Sequence, residues 1–180
     1  QSSHTKELDF SWDSFYMRVN RELVAILGNL IHRVLSFSSK NFGVVPAGDI
    51  EEEVVDAIEK TREEVIRALE EYEFKKYVDA VMKLADFGNS YFQREEPWQL
   101  IKRGVQGRER CGVIVKNMLQ ILKAVCIALD AVMPVKMEEL WDQLGMDQDV
   151  HAVKLDMMKV PIQSGQALKT PTKLFERIEV

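Results

Sequence analysis

The apolar residues Phe15, Val19, Leu23, Ile26, Leu27, Leu30, Val34 and Phe37 recur at three- and four-residue steps, the period of a helix with one buried face. Ser11 can cap this helix and Asp13 suits the positive end of its dipole, which predicts a helix to about Ser38. "SKNFGVVPAGD" breaks it with Gly43, Pro46 and Gly48. Asp49 can then cap a second helix whose inner face is Val54, Ile58, Val65, Leu69 and Tyr72. An interruption near Tyr72 and Glu73 leads into a third helix carrying Phe74, Tyr77, Val78, Val81, Leu84, Ala85, Tyr91 and Phe92. Pro97 fits the first turn of a short helix that Gly104 ends. A fourth long helix runs from about Arg108 to Val132, Pro134 stops it, and "VKMEELWDQLG" forms a further short helix ending at Gly145. From Met146 onward Pro161, Gly165 and Pro171 punctuate a stretch without sustained period, read as an extended tail with one short strand or turn. The pattern predicts an all-α fold: an antiparallel helix bundle over residues 1–146, and an extended C-terminal segment over 147–180 that must pack on something.

Composition fits one globular domain: 180 residues, 46% hydrophobic and 29% charged. Charged side chains interrupt every apolar run before the ~18 residues of a membrane span. The opening "QSSHTKELDF" has neither an initiator methionine nor a signal-peptide core, and reads as a cut from a longer chain. Cys111 and Cys126 lie in apolar helical sequence without CxxC spacing, as buried thiols of a reducing compartment do; neither a disulfide nor a zinc site is expected. The net charge of -5 argues against general nucleic-acid binding. Yet the charge is segregated. Acidic residues crowd 49–73, while Arg18, Arg21, His32, Arg33 and Lys40, and again Lys102, Arg103, Arg108 and Arg110, form basic groups.

Several chemistries find no support. A di-metal carboxylate bundle needs Glu-x-x-His, and none of His4, His32 and His151 stands three residues after a glutamate. P-loop, dinucleotide, HExxH and GxSxG patterns do not occur. Glu59 and Glu63, beside Lys60 and Arg67, fit a solvated face with helical ion pairs better than acid–base catalysis.

Three details stand out. Asn29 and Arg33, four apart, share one face of an otherwise apolar helix and combine acceptors with donors. Trp98 follows a proline where its ring can be held at a bundle end, and Arg103, Arg108 and Arg110 lie just beyond. An aromatic platform, base-reading polar groups and nearby cations are what single-stranded RNA recognition needs. Each has a simpler account: a solvated helix face for Asn29 and Arg33, core packing for Trp98 as for Trp12 and Trp141, and helix bridging for Asn89.

"RVNRELVAILGNLIHR", "LADFGNSYFQREEPW" and "VMPVKMEELWDQLG" resemble, in order and spacing, the anticodon-binding helical domain of class I aminoacyl-tRNA synthetases, specifically the methionyl family. "LDFSWDSFYMRVN" is similar to its archaeal and eukaryotic-type form, and the resemblance covers the chain from about Leu8 to Val180. It implies that Asn29, Arg33 and Trp98 contact the CAU anticodon of methionine tRNA; Arg103 and Arg108, by their position beyond Trp98, are the candidate phosphate contacts. It also implies that the tail runs back toward a catalytic body. HIGH-like and KMSKS-like signatures are absent from this chain, so the catalytic domain is expected elsewhere, with ATP, magnesium and a structural zinc. The fragment itself would hold no cofactor, and the intact enzyme would be cytoplasmic, with no membrane or DNA partner. The residues alone leave two rivals: the matching domain of a sister enzyme for valine, leucine, isoleucine or cysteine, and a non-enzymatic helical adaptor.

Overall fold

A computed structural model describes residues 10–179. The described residues open on one continuous helical rod: α1 (Trp12–Arg18), a π-helical segment (Val19–Gly28) and α2 (Asn29–Asn41). Ser11 caps it as predicted, its hydroxyl accepting from the Ser14 N–H at 3.3 Å. The helices α3 (Glu52–Glu70) and α4 (Phe74–Glu95) form a hairpin about Tyr72, which sits at a φ of 58°. After α5 (Pro97–Leu100), the long α6 (Gly104–Leu129) crosses the middle, and α7 (Pro134–Gln143) closes the bundle. Among the described residues all regular elements are helical, and a single isolated antiparallel bridge joins Val44 to Ala167.

Several boundaries differ from the sequence expectation. Glu51, not Asp49, precedes α3; its N–H is taken by the Asn117 side chain at 3.0 Å. Gly104 starts α6 instead of ending the helix before it. The inner face of α3 is Val54, Ile58, Thr61, Val65 and Ala68, a closer fit to 3.6 residues per turn, and this turns Leu69 and Tyr72 outward. Trp141 is buried, its indole N–H held by the Gln148 carbonyl at 2.7 Å. Trp12 is not a packing residue: it is 64% exposed, in an aromatic cluster with Phe10, Phe15 and Tyr16.

By length and composition α6 is apolar enough to cross a membrane, because only Lys116 and Lys123 interrupt its 111–129 stretch. It is instead sheathed on all sides, with nearly every residue from Cys111 to Leu129 buried. Cys111 and Cys126 are buried with it, and burial pushes both thiols up, Cys111 to about 11. The exceptions to its apolar character form one stripe. The Lys116 ammonium donates to the Gly48 carbonyl and to Ser164 Oγ. Gln120 donates to the carbonyls of Met158 (2.8 Å) and Val160 (3.1 Å) and accepts the Ile162 N–H (2.7 Å). Lys123 donates to the Val160 carbonyl at 2.7 Å.

These bonds explain how a tail without its own core is fixed. Two 3₁₀ turns, Val150–Ala152 and Leu155–Met158, lead it back along α6, where Val150, Met158, Ile162 and Leu174 are buried. It crosses the 42–48 loop through Val45 N–H to Gln166 O and Gly165 N–H to Val45 O, each 2.8 Å. There it passes so near Gly145, at a φ of 72°, that a Cβ would lie 1.9 Å from the Ala167 carbonyl oxygen. It ends on the first rod, where the Asn20 side-chain amide makes two 3.0 Å bonds to the backbone of Ile178.

Gln120→Ala leaves two buried backbone groups without partners, the Met158 carbonyl and the Ile162 N–H, while the Val160 carbonyl keeps Lys123. The loss is about 1–3 kcal/mol for each one that water cannot reach. The urea midpoint should fall, and hydrogen exchange should quicken first at Ile162. Unchanged exchange there would show that the tail is held by other contacts.

Candidate nucleic-acid interface

Asn29 and Arg33 open α2 one turn apart, and both are exposed. Their register is set by the π segment. The Asn29 N–H bonds back to Ile26 O and Val24 O, and the Ile26 carbonyl also accepts from Asn89 Nδ2 at 3.4 Å. Asn89 therefore bridges α4 to the first rod. Insertions of this kind concentrate at functional sites because they re-aim the residues that follow.

Arg33 meets Trp98. Its guanidinium carbon lies 5.6 Å from the centre of the Phe92 ring and 5.9 Å from that of Trp98. Phe92 and Trp98 meet edge to face at 5.7 Å, and Phe37 backs Phe92 at 5.9 Å. Trp98 is half-buried, so its ring is supported by the core without being enclosed in it. An exposed cation over rings gains about 0.5–1 kcal/mol, enough to bias the guanidinium toward one direction while leaving its N–H groups available.

The turn that presents Trp98 is held from below. Glu96, at a φ of 43°, reverses the chain after α4, and buried Pro97 begins α5. Arg110 on α6 bonds Glu95 at 2.6 Å and also bonds Glu51. Glu51 further accepts from Tyr91 and, at 2.8 Å, from Asn117. Burial alone would raise the Glu51 carboxyl, but hydrogen bonds from Tyr91 and Arg110, with the charge of Arg110, hold it below the usual range. The Tyr91 hydroxyl is pushed up by burial and by Glu51. α5 rests directly on α6 at Gly107, where a Cβ would sit 2.3 Å from the Leu100 carbonyl oxygen.

The two further arginines differ. Arg103 is exposed at the junction of α5 and α6. Arg108 is engaged: it donates to the Asn41 carbonyl at 2.8 Å, at the end of α2, and lies 5.0 Å over the Phe42 ring. Asn29 borders a different neighbour, a cleft of about 410 Å³ between the first rod and the tail, shared with His32, Lys173 and Arg177. The tail's part in this surface was not anticipated; its one signal was the charge pair in "KLFER" within an otherwise featureless segment.

A family model for the anticodon binding domain of methionyl tRNA ligase matches residues 44–180, and one for class I tRNA synthetases (M) matches 1–35. The chain is 49% identical over 178 residues to a methionine–tRNA ligase of Methanococcoides burtonii, covering 99% of this chain and 26% of the relative. It is 39% identical to that of Archaeoglobus fulgidus, covering 99% and 27%. It thus spans about a quarter of the length of these curated relatives. A crystal structure of the apo form of Mycobacterium tuberculosis methionyl-tRNA synthetase shares the fold, with a TM-score of 0.81 and 23% identity over 95% of this chain and 35% of that one.

The Glu51 arrangement fixes a pH response. A carboxyl depressed in the folded state contributes stability that is present above the unfolded value of 4.5 and is lost as pH falls through the folded one. Wild type should therefore lose stability below about pH 4.5 more steeply than Glu51→Gln. Denaturant titrations at several acidic pH values would check it, and equal slopes would remove Glu51 as the acid-sensitive group.

Proposed function

The chain belongs to the family of methionyl-tRNA ligase anticodon-binding domains, and we propose that it reads the CAU anticodon loop of methionine tRNA with Asn29, Arg33 and Trp98. This assignment sets aside the sister enzymes for valine, leucine, isoleucine and cysteine. The observation that carries it is the meeting of Arg33 with the half-buried Trp98 at 5.9 Å, an exposed donor set beside a supported ring. A base stacked on Trp98 would lie within reach of the Arg33 fork.

Cytosine, the first anticodon base, offers a ring nitrogen and a carbonyl oxygen as acceptors beside an amino donor. The Arg33 N–H groups suit the acceptors and the Asn29 carbonyl suits the amino hydrogen. Uracil reverses two of the three groups, leaving Arg33 facing a donor and Asn29 an acceptor. Arg103 would neutralise a backbone phosphate. Arg108 would serve as a second contact through the N–H groups that Asn41 does not take.

Within this reading residues 1–146 form the recognition bundle and 147–180 the segment that braces it. The parent enzyme would attach methionine to tRNA in the cytoplasm with ATP and magnesium. Among the described residues no group of three His, Cys, Asp or Glu side chains is placed to hold a metal ion. We assign that chemistry, and any structural zinc, to the catalytic body. The exposed aromatic cluster of Phe10, Trp12 and Phe15, within the stretch matched by the class I model, suits a contact with that body. No membrane or DNA enters the proposal.

Stem-loops carrying CAU and UAU, compared at fixed salt, test it. Wild type should prefer CAU by about tenfold to a hundredfold, as a good bidentate base contact does, and Asn29→Ala and Arg33→Ala should each erode that preference. Retention of the full preference by both variants would overturn the base assignment. Trp98→Ala should weaken both loops by about 1–3 kcal/mol, the worth of a stacked base. A lowered melting temperature with unaltered affinity per folded molecule would instead make Trp98 a packing residue.

A further inference from the structure

The returning tail does more in this surface than brace the bundle. Residues 173–177 lie across the first rod and close a cleft of about 410 Å³ whose other wall carries Asn29 and His32. Buried Leu174 anchors this stretch on one side. Phe175 fills the gap over Gly28, where a Cβ would stand 3.3 Å from its ring. With the Asn20 clasp on Ile178 just beyond, the backbone between Lys173 and Arg177 is held at both ends.

The charges on it are not consumed by the fold. Lys173 and Arg177 are exposed and make no ion pair among the described residues, in contrast to Lys169, which pairs with Asp142. Glu176 lies on the same rim and subtracts one charge. Across the cleft, the His32 Nδ1 atom is buried without a hydrogen-bond partner, and Nε2 has only Ser36 Oγ at 3.5 Å. With the ring hydrogen on Nε2, the buried Nδ1 keeps only a lone pair and Nε2 is a weakly engaged donor. The cleft thus combines two cations, an imidazole donor and the amide of Asn29, the residue assigned to base reading.

We propose that the RNA strand continues from the Asn29 and Arg33 platform into this cleft, its sugar–phosphate backbone passing along Lys173 and Arg177. The inference rests on the anticodon-reading function proposed above. Lys173 and Arg177 stand four residues apart on this stretch, on either side of the bend at Leu174, and take neighbouring phosphates of the same strand. His32 Nε2–H donates to the nucleotide that lies between them. The C-terminal segment is then part of the RNA-binding surface, contributing affinity without sequence choice.

Binding of CAU and UAU stem-loops to the protein is measured over a series of salt concentrations for wild type, Lys173→Glu, Arg177→Glu, Glu176→Gln and Lys154→Ala, a cation outside this cleft. Each charge reversal should weaken both loops by roughly tenfold, with the CAU preference intact, and should flatten the salt dependence by about 0.7 in log–log slope for each phosphate no longer neutralised. Glu176→Gln should tighten both loops, and Lys154→Ala should leave both unchanged. Wild-type affinity and slope in both reversals, with the CAU preference still present, would overturn the cleft while sparing the anticodon reading. If wild type itself shows no CAU preference, that reading fails and the cleft's assignment fails with it. Thermal melts of each variant confirm that the comparison is between folded proteins.

Discussion

Four polar side chains on one buried helix hold this molecule together. Lys116, Asn117, Gln120 and Lys123 fall on successive turns of α6, all nearly inaccessible to water, and bury at a cost unless every donor and acceptor is met. Their partners come mainly from the backbone of the 42–51 loop and of residues 158–164, two segments that lie outside the α-helices. The exchange is mutual. The segments gain partners for carbonyls and N–H groups that no helix or sheet would satisfy, and α6 gains partners for groups that would otherwise forbid its central place. Burial lowers the Lys123 ammonium as expected of a cation held by one carbonyl.

From that stripe the constraint passes outward to the recognition surface. Asn117 joins the stripe to Glu51 and Tyr91. Glu51 joins it to Arg110, and Arg110 to Glu95, one residue before the reversal that presents Pro97 and Trp98. On the opposite flank the tail pinned by Gln120 ends on Asn20 and sets Lys173 to Arg177 against the first rod. Both edges of the candidate surface thus trace back to one helix, which contributes no exposed base-reading residue of its own.

The sequence made the helices legible because each has a one-sided apolar period, and the buried faces of α2 and α4 follow it closely. It misplaced Trp12, since a large ring is as readable as core whether it faces its own bundle or another surface. Asp49 was a plausible cap by residue type, but α3 begins where Asn117, distant in sequence, can reach Glu51. The π segment left no mark, because its apolar residues also fit an ordinary helix over so short a run. The pairing of Arg33 with Trp98 and the arrival of the tail beside Asn29 are tertiary facts. No spacing along the chain encodes them; the residue types suggested Asn29, Arg33 and Trp98 as a set, and resemblance decided for that set over the simpler accounts.

A chain of net charge -5 is an unpromising RNA binder until its ion pairs are sorted. On the α3–α4 hairpin and its neighbours most cations are answered, Arg62 by Glu59 and Asp156, Arg94 by Glu53 and Glu95, Arg110 by Glu51 and Glu95, with Lys60 and Arg67 as exceptions. Around the candidate surface Arg33, Arg103, Lys173 and Arg177 have no carboxylate partner among the described residues; aromatic rings or solvent face them instead. A phosphate at hydrogen-bond distance feels those local cations, while acids much beyond the screening length of about 8 Å at physiological salt are largely hidden from it. Net charge therefore sets how readily the protein meets RNA indiscriminately, and the unpaired cations set where it can hold a strand. An acidic body whose unpaired cations include a cluster at one edge favours binding that depends on the fit at that edge over adhesion to any polyanion.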